Sequence, residues 1–267
     1  MQKTLLALAC ALSLAAPGAQ ALENTVKPTV TEPGVQNPAV ALLVGNSYSF
    51  YNCGVHGYLR GLTKEAFPKL GWKMRMSTTS SAPLSLQPVD WMLGEHEQEP
   101  YAADKKSGAP KFDVVILQAH SQATTNAKRV PFFEKYAAKH IAAIKKSGAA
   151  PVLVMTWARE DKPEQTKTIA DVTTRVGNEN GALVVPVGLA FAEAKKGMPE
   201  LKLHQKDKSH PTAAGSYIYG AMLHAALFKH SPEGLKFPGE CEKPLDPKLA
   251  AYLQGVVWKT AREFYGW

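Results

Sequence analysis

The chain has 267 residues, 45% of them hydrophobic and 20% charged, with a formal net charge of +8. Its basic residues are scattered in pairs (Lys105-Lys106, Lys145-Lys146, Lys195-Lys196) without interleaved aromatics, which argues against nucleic acid as a partner. A modest basic excess of this kind suits anionic polymers at a cell surface, and no segment approaches the 18 uncharged apolar residues of a membrane span, so no stable membrane insertion is expected.

The first residues read as a targeting segment. Lys3 supplies the positive start, Leu5 to Ala16 an apolar stretch too short to span a bilayer, and Ala19-Gln20-Ala21 a small-x-small cleavage site. Residues 1–21 are therefore expected to be a secretory signal peptide cut near Ala21-Leu22, giving a secreted or periplasmic chain. Cys10 after Leu8-Ala9 offers an alternative lipoprotein site, but it lies inside the apolar stretch with almost nothing before it, so secretion is the expectation. The remaining 246 residues carry charge +7 and suit a single large domain. Two cysteines survive, Cys53 and Cys241. In an oxidising compartment such a pair, with no metal ligands beside it, predicts a disulfide.

Residues 22–38, with Pro28, Pro33 and Pro38, read as an extended lead-in to a domain over 39–267. Ala39–Gly45 is an uninterrupted apolar strand, and Val55–Leu70 has helical spacing through Leu59, Leu62, Ala66 and Leu70. Trp72–Ser77 reads as a weaker strand. Residues 78–111 hold Pro83, Pro88, Pro100 and Pro110 without clear periodicity and read as a surface excursion. Asp113–Gln118 is a strong strand, Pro131–Lys146 a helix, Pro151–Trp157 a strand, Glu164–Asn180 a helix and Ala182–Val187 the last strand. An apolar helix begins near Thr212. Continuous apolar strands are buried on both faces, and their alternation with helices predicts a three-layer α/β/α fold around a mostly parallel sheet. In such sheets ligands bind beyond the carboxyl ends of the strands. Those ends are Gly45-Asn46-Ser47, Gln118-Ala119-His120-Ser121 and Thr156-Trp157-Ala158-Arg159, which makes Asn46 and Trp157 candidate substrate-pocket residues.

Three side chains carry the chemistry of a serine hydrolase: a hydroxyl (Ser47), an imidazole to take its proton (His210) and a carboxylate to orient that imidazole (Asp207). Taken singly they read differently. A serine after a strand-ending glycine is a turn or a helix cap, and Asp207 and His210 among Lys202, Lys206 and Lys208 are a solvated loop. Their weight comes from a strand end at one extreme and a short loop before an apolar helix at the other. The second glycine of a G-x-S-x-G elbow is missing, since Ser49 stands in its place, and the serine comes after the first strand; both disagree with an α/β-hydrolase. His96 between Glu95 and Glu97 lacks a spaced second histidine pair and reads as a solvated turn, not a metal site.

Gly45-Asn46-Ser47 and Asp207-Lys208-Ser209-His210-Pro211 resemble the first and last blocks of the SGNH, or GDSL-type, hydrolase superfamily. The runs LLVGNSYSFYN and VVILQAHSQ are similar to an uncharacterised bacterial subgroup with a Gly-Asn-Ser block and a Leu-Gln-x-x-Ser block in place of Gly-x-Asn-Asp. The resemblance implies a flavodoxin-like layered fold with Ser47 as nucleophile, His210 as general base and then acid, and Asp207 as its orienting partner. It also implies an oxyanion hole with an amide at the third strand end, a role expected of Gln118 with His120 second; Gly94 is the candidate for its glycine donor. The implied activity is cleavage of acyl esters, O-acetyl groups among them, on a small-molecule or glycan substrate, with no cofactor and no metal. The alternatives are a lipid or thioester acyl hydrolase and a non-catalytic binding domain of the same fold.

Overall fold

The structure, a computed structural model, describes residues 22–94, 111–239, 241 and 243–267. The proposed signal peptide, Cys10, the His96 cluster and Lys105-Lys106 lie outside the described residues. Five strands, β1 (Val40–Gly45), β2 (Lys73–Thr78), β3 (Val114–Gln118), β4 (Ala150–Val154) and β5 (Leu183–Val185), form one parallel sheet in the order β2-β1-β3-β4-β5. Every residue of β3 is buried, as the unbroken apolar run requires of a strand covered on both faces.

The helices are α1 (Ser47–Phe50), α2 (Val55–Ala66), α3 (Val89–Leu93), α4 (Val130–Lys146), α5 (Thr166–Asn180), α6 (Val187–Gly197), α7 (Ala213–Phe228) and α8 (Pro247–Tyr265). On one side α2 packs on α7 and α7 on α8; on the other α4 packs on α5 and α3. The result is the expected three-layer α/β/α arrangement. Helix α7 is buried at every residue from Ala214 to Leu227, as a mostly apolar helix between two others must be. Gly220 permits this closeness, because a Cβ there would sit 2.5 Å from Tyr58 Cβ on α2.

Several boundaries differ from the sequence expectation. Helix α2 ends at Ala66, a turn early, because Pro68 drives Phe67 out of the helical region (φ −132°, ψ 67°). The segment after β2 is not simply a surface excursion: a single 3₁₀ turn at Leu84–Leu86 and α3 bury Leu84, Val89 and Met92 in the core. Pro186 ends β5 and α6 follows at once, and α8 covers the C-terminal arm; neither helix was expected. The lead-in lies along α5, with the Thr25 and Val26 N–H groups donating to Asp171 and Thr29 N–H to Asn178. No helix among the described residues is long and apolar enough to cross a membrane.

A buried histidine makes the fold acid-sensitive. His224, on α7, is fully enclosed against Thr63, Phe67 and Phe228, with Nε2 3.1 Å from His230 Nδ1. Burial, helped by His230, pushes its pKa down to about 3 from the ordinary 6.5. The unfolded chain then binds a proton that the folded chain refuses. The contribution to stability is complete above about pH 6.5 and is lost progressively as pH falls toward 3. The melting temperature should drop between pH 7 and pH 5, and the drop should be smaller in His224→Gln; equal drops in the two proteins would exclude His224 as the cause.

Candidate active site

Ser47 follows directly on β1. Asn46 is extended (φ −142°, ψ −157°) and caps α1 by accepting from Tyr48 N–H, so Ser47 stands at the first helical position. The glycine before them has a steric reason. A Cβ on Gly45 would lie 2.7 Å from Gln118 Oε1 and 3.2 Å from Gln118 Cβ, so the strand end admits only hydrogen there. The Ser47 N–H, a first-turn donor without an intrahelical partner, has no acceptor among the described residues.

The second element is the loop 204–212 before α7, and its carbonyls are engaged one after another. Asp207 O accepts from Arg159 Nη2, Lys208 O from Glu160 N–H and Ser209 O from Trp157 Nε1. His210 O accepts from Gln205 N–H, and Pro211 O from Asn52 Nδ2 and Gln205 Nε2. Thr212 closes the loop as the helix cap, its hydroxyl accepting from Gly215 N–H and donating to Lys202 O. Lys208 holds a left-handed conformation (φ 60°), which only a loop over-determined in this way sustains in a residue with a side chain.

This framework brings the distant segments together. His210 Nε2 lies 2.8 Å from Ser47 Oγ, across 163 residues of chain, and His210 Nδ1 is hydrogen-bonded to Asp207 Oδ2. Asp207 Oδ1 also accepts from the Ser209 and His210 backbone N–H groups, both at 3.0 Å. Burial opposes its ionised form. The bonds from the His210 ring and the two N–H groups outweigh that and hold its pKa down to about 2. Asp207 is therefore ionised at every pH above about 4 and fixes the His210 proton on Nδ1, leaving Nε2 to accept from the serine.

No family model matches the chain and no curated protein matches it. Solved structures do. A protein of Slackia heliotrinireducens described among the SGNH hydrolases aligns at TM-score 0.50 and 21% identity, covering 70% of this chain and 98% of its own. A DUF4886 family protein from Bacteroides uniformis aligns at TM-score 0.56 and 15% identity, covering 83% and 94%. An acetyl-xylooligosaccharide esterase from Geobacillus aligns at TM-score 0.50 and 16% identity, covering 70% and 91%. The chain has the SGNH-hydrolase fold.

The other expected site residues of this SGNH fold sit differently. Gln118 is fully buried, its Oε1 accepting from Asn46 N–H (2.9 Å) and Ser49 Oγ (3.0 Å) while its Nε2 donates to Ala119 O. The last residue of a strand covered on both faces points beneath the Ser47 turn, where its amide is enclosed away from any substrate. It braces the turn instead. Gln118→Ala leaves the buried Asn46 N–H unpaired and should cost about 1–3 kcal/mol of stability, read as a lower urea midpoint; an unchanged midpoint would show that the brace is dispensable.

Asn46 is likewise not a pocket wall, whereas Trp157 contributes to the lining of a polar cleft beside Arg159. The Asn46 amide donates to Ala82 O and Ala119 O, and its side chain is spent on the turn. Trp157, 1% exposed, is sandwiched between Tyr48 and Phe191 with ring centroids 4.4 Å away on each side, a core slab that carries the histidine loop through its indole N–H. Gly94 caps α3, its N–H donating to Trp91 O, and so supplies no oxyanion donor. His120 is half-buried, and its Nδ1 accepts from Gln122 N–H, which puts the proton of the neutral ring on Nε2. Burial first and Arg129 second lower its pKa, favouring that neutral donor.

Two residues that the sequence reading passed over complete the candidate site. Tyr51 stacks on the His210 ring at 4.1 Å with planes 14° apart. Asn52 ties the nucleophile turn to Pro211 O and to Ser216 Oγ. Tyr51 precedes, and Asn52 begins, a run of three residues with positive φ, Asn52, Cys53 and Gly54 (51°, 66° and 81°), and the asparagine and glycine around the cysteine are the signal that marks such a turn. Among the described residues, no group of three or more His, Cys, Asp or Glu is placed to hold a metal.

Proposed function

We propose that this protein is an exported serine esterase that cleaves acyl esters through an acyl-enzyme intermediate. The observation that carries the reading is the continuous chain Ser47 Oγ, His210, Asp207, with 2.8 Å between hydroxyl and imidazole. His210 Nε2 takes the hydroxyl proton as Ser47 attacks the ester carbonyl. The oxyanion forms against Ser47 N–H, with His120 Nε2–H as the second donor. Collapse expels the alcohol, which leaves with the proton from His210. Water, deprotonated by the same nitrogen, then releases the acid and restores the serine.

A polar cleft of about 120 Å³, lined by Ser121, Gln122, Asn126, Trp157, Arg159 and Gln165 among others, lies on the acid side of the site, since Arg159 also donates to Asp207 O. Its hydroxyl and amide groups suit the alcohol half of the ester, a sugar among the possible alcohols. Export is part of the same reading and agrees with the Cys53–Cys241 disulfide, a bond that persists in oxidising compartments. The direct test is hydrolysis of chromogenic esters over a range of acyl lengths by the full-length product after export. Silence at every chain length would leave the fold as a binding domain.

A further inference from the structure

The Asn46 amide joins Ala82 O and Ala119 O, so the segments that continue as Pro83–Ser85 and Ala119–Ala123 diverge from the residue beside Ser47. Between them and the start of α4 lies a cavity of about 220 Å³. Its apolar wall is made by Pro83, Leu84, Ala119, Ala123, Phe132 and Phe133. At about 30 Å³ for each water-sized group it has room for roughly seven such groups, so an acetyl group would leave most of it unfilled. Phe132 is 61% exposed there, a large apolar side chain left without cover.

The same cavity is lined by three basic side chains, His120, Lys128 and Arg129. Lys128 and Arg129 are exposed, adjacent in sequence, and paired with no carboxylate among the described residues. Two uncompensated cations on a low-dielectric wall set up a positive potential that concentrates anions, and a guanidinium binds a carboxylate in a two-pronged, charge-assisted pair. An entirely apolar occupant would leave that potential unanswered, and a small polar anion would leave the apolar wall wet. An apolar chain with a negative end satisfies both.

We propose that this cavity is the acyl subsite and that it takes a medium-length acyl chain, about six to eight carbons, whose far end carries a carboxylate held by Arg129 and Lys128. The term acyl rests on the esterase reading; the preference for a chain with an anionic end does not. The ester carbonyl then lies at Ser47, the chain fills the apolar cavity, and the alcohol projects toward the polar cleft on the other side of the 119–126 loop.

The test uses full-length Ser47→Ala protein, which binds without turning over, and calorimetric titration with monomethyl suberate against methyl 8-hydroxyoctanoate, its neutral counterpart of equal length. The anionic ester should bind about tenfold more tightly, and the preference should shrink in high salt. Lys128→Ala/Arg129→Ala, two surface substitutions, should abolish it. Lys146→Ala, at the opposite end of α4, removes charge without touching the cavity and should leave it intact. Equal affinities, or a preference that survives the double substitution, would overturn the subsite. Methanol release by wild-type protein separates the two claims. Anion-selective binding without release sinks the esterase reading and keeps the pocket; release from both esters at equal efficiency sinks the pocket and keeps the esterase.

Discussion

Ser47→Ala is expected to reduce kcat for a chromogenic ester by about 10⁵–10⁶-fold, and His210→Ala by nearly as much. The double variant should be scarcely worse than either single one, because the two groups perform one act. With Nε2 2.8 Å from Oγ, the proton transfer that makes the serine a nucleophile requires both partners, and losing either removes the whole covalent route. Asp207→Asn should cost about 10⁴-fold, since a carboxamide can hydrogen-bond either tautomer and no longer fixes the proton on Nδ1. His120→Ala should cost less, about 10²–10³-fold, the usual effect of removing one oxyanion donor. That order tests the assignment as a whole. If His120→Ala matched Ser47→Ala, His120 would belong to the proton relay; if Ser47→Ala kept wild-type turnover, the hydrolysis would come from elsewhere.

The parts of this site that were legible in the sequence are those whose chemistry is carried by residue type. A hydroxyl after a buried strand and an acid three residues before an imidazole are bland singly and gain weight only as a set, and the alternation of apolar runs with helical spacing implies a layered sheet that gathers strand ends at one edge. Gln118 shows where that reasoning stops. Its amide is chemically able to serve an oxyanion, and only packing reveals that the side chain points under the turn and is used by Asn46 and Ser49. Trp157 is both, a strand-end aromatic stacked into the core that also contributes to the cleft lining. Gly45 invited explanation as a turn residue, whereas the close approach of Gln118 is what excludes a side chain there. Helix α8 was legible and overlooked: Asp246 before Pro247 is a cap followed by a first-turn proline. The contacts of Tyr51 and Asn52 were not: the Asn-x-Gly run marks their turn, but contact across some 160 residues leaves no mark on local pattern.

Reducing the disulfide, or Cys241→Ser, is expected to lower stability by about 3–5 kcal/mol, a fall in Tm of roughly 6–20 °C for a chain of this size. Cys53 and Cys241 are bonded across 188 residues, so the bond closes a loop that spans most of the fold and strongly restricts the unfolded chain. An effect of that kind acts chiefly on the unfolded ensemble. The folded turn keeps its other attachments, with Asn52 bonded to Pro211 O and Ser216 Oγ and Tyr51 stacked on His210. Turnover at 25 °C should therefore change by no more than about threefold while the melting point falls. Asn52→Ala should show the reverse, a cost near 1 kcal/mol in stability but a larger loss in kcat, because it frees the nucleophile turn from the loop that carries the base. The reverse pattern, turnover collapsing on reduction with Tm unmoved, would mean that the sulfur bridge and not the asparagine holds the two halves of the site in register.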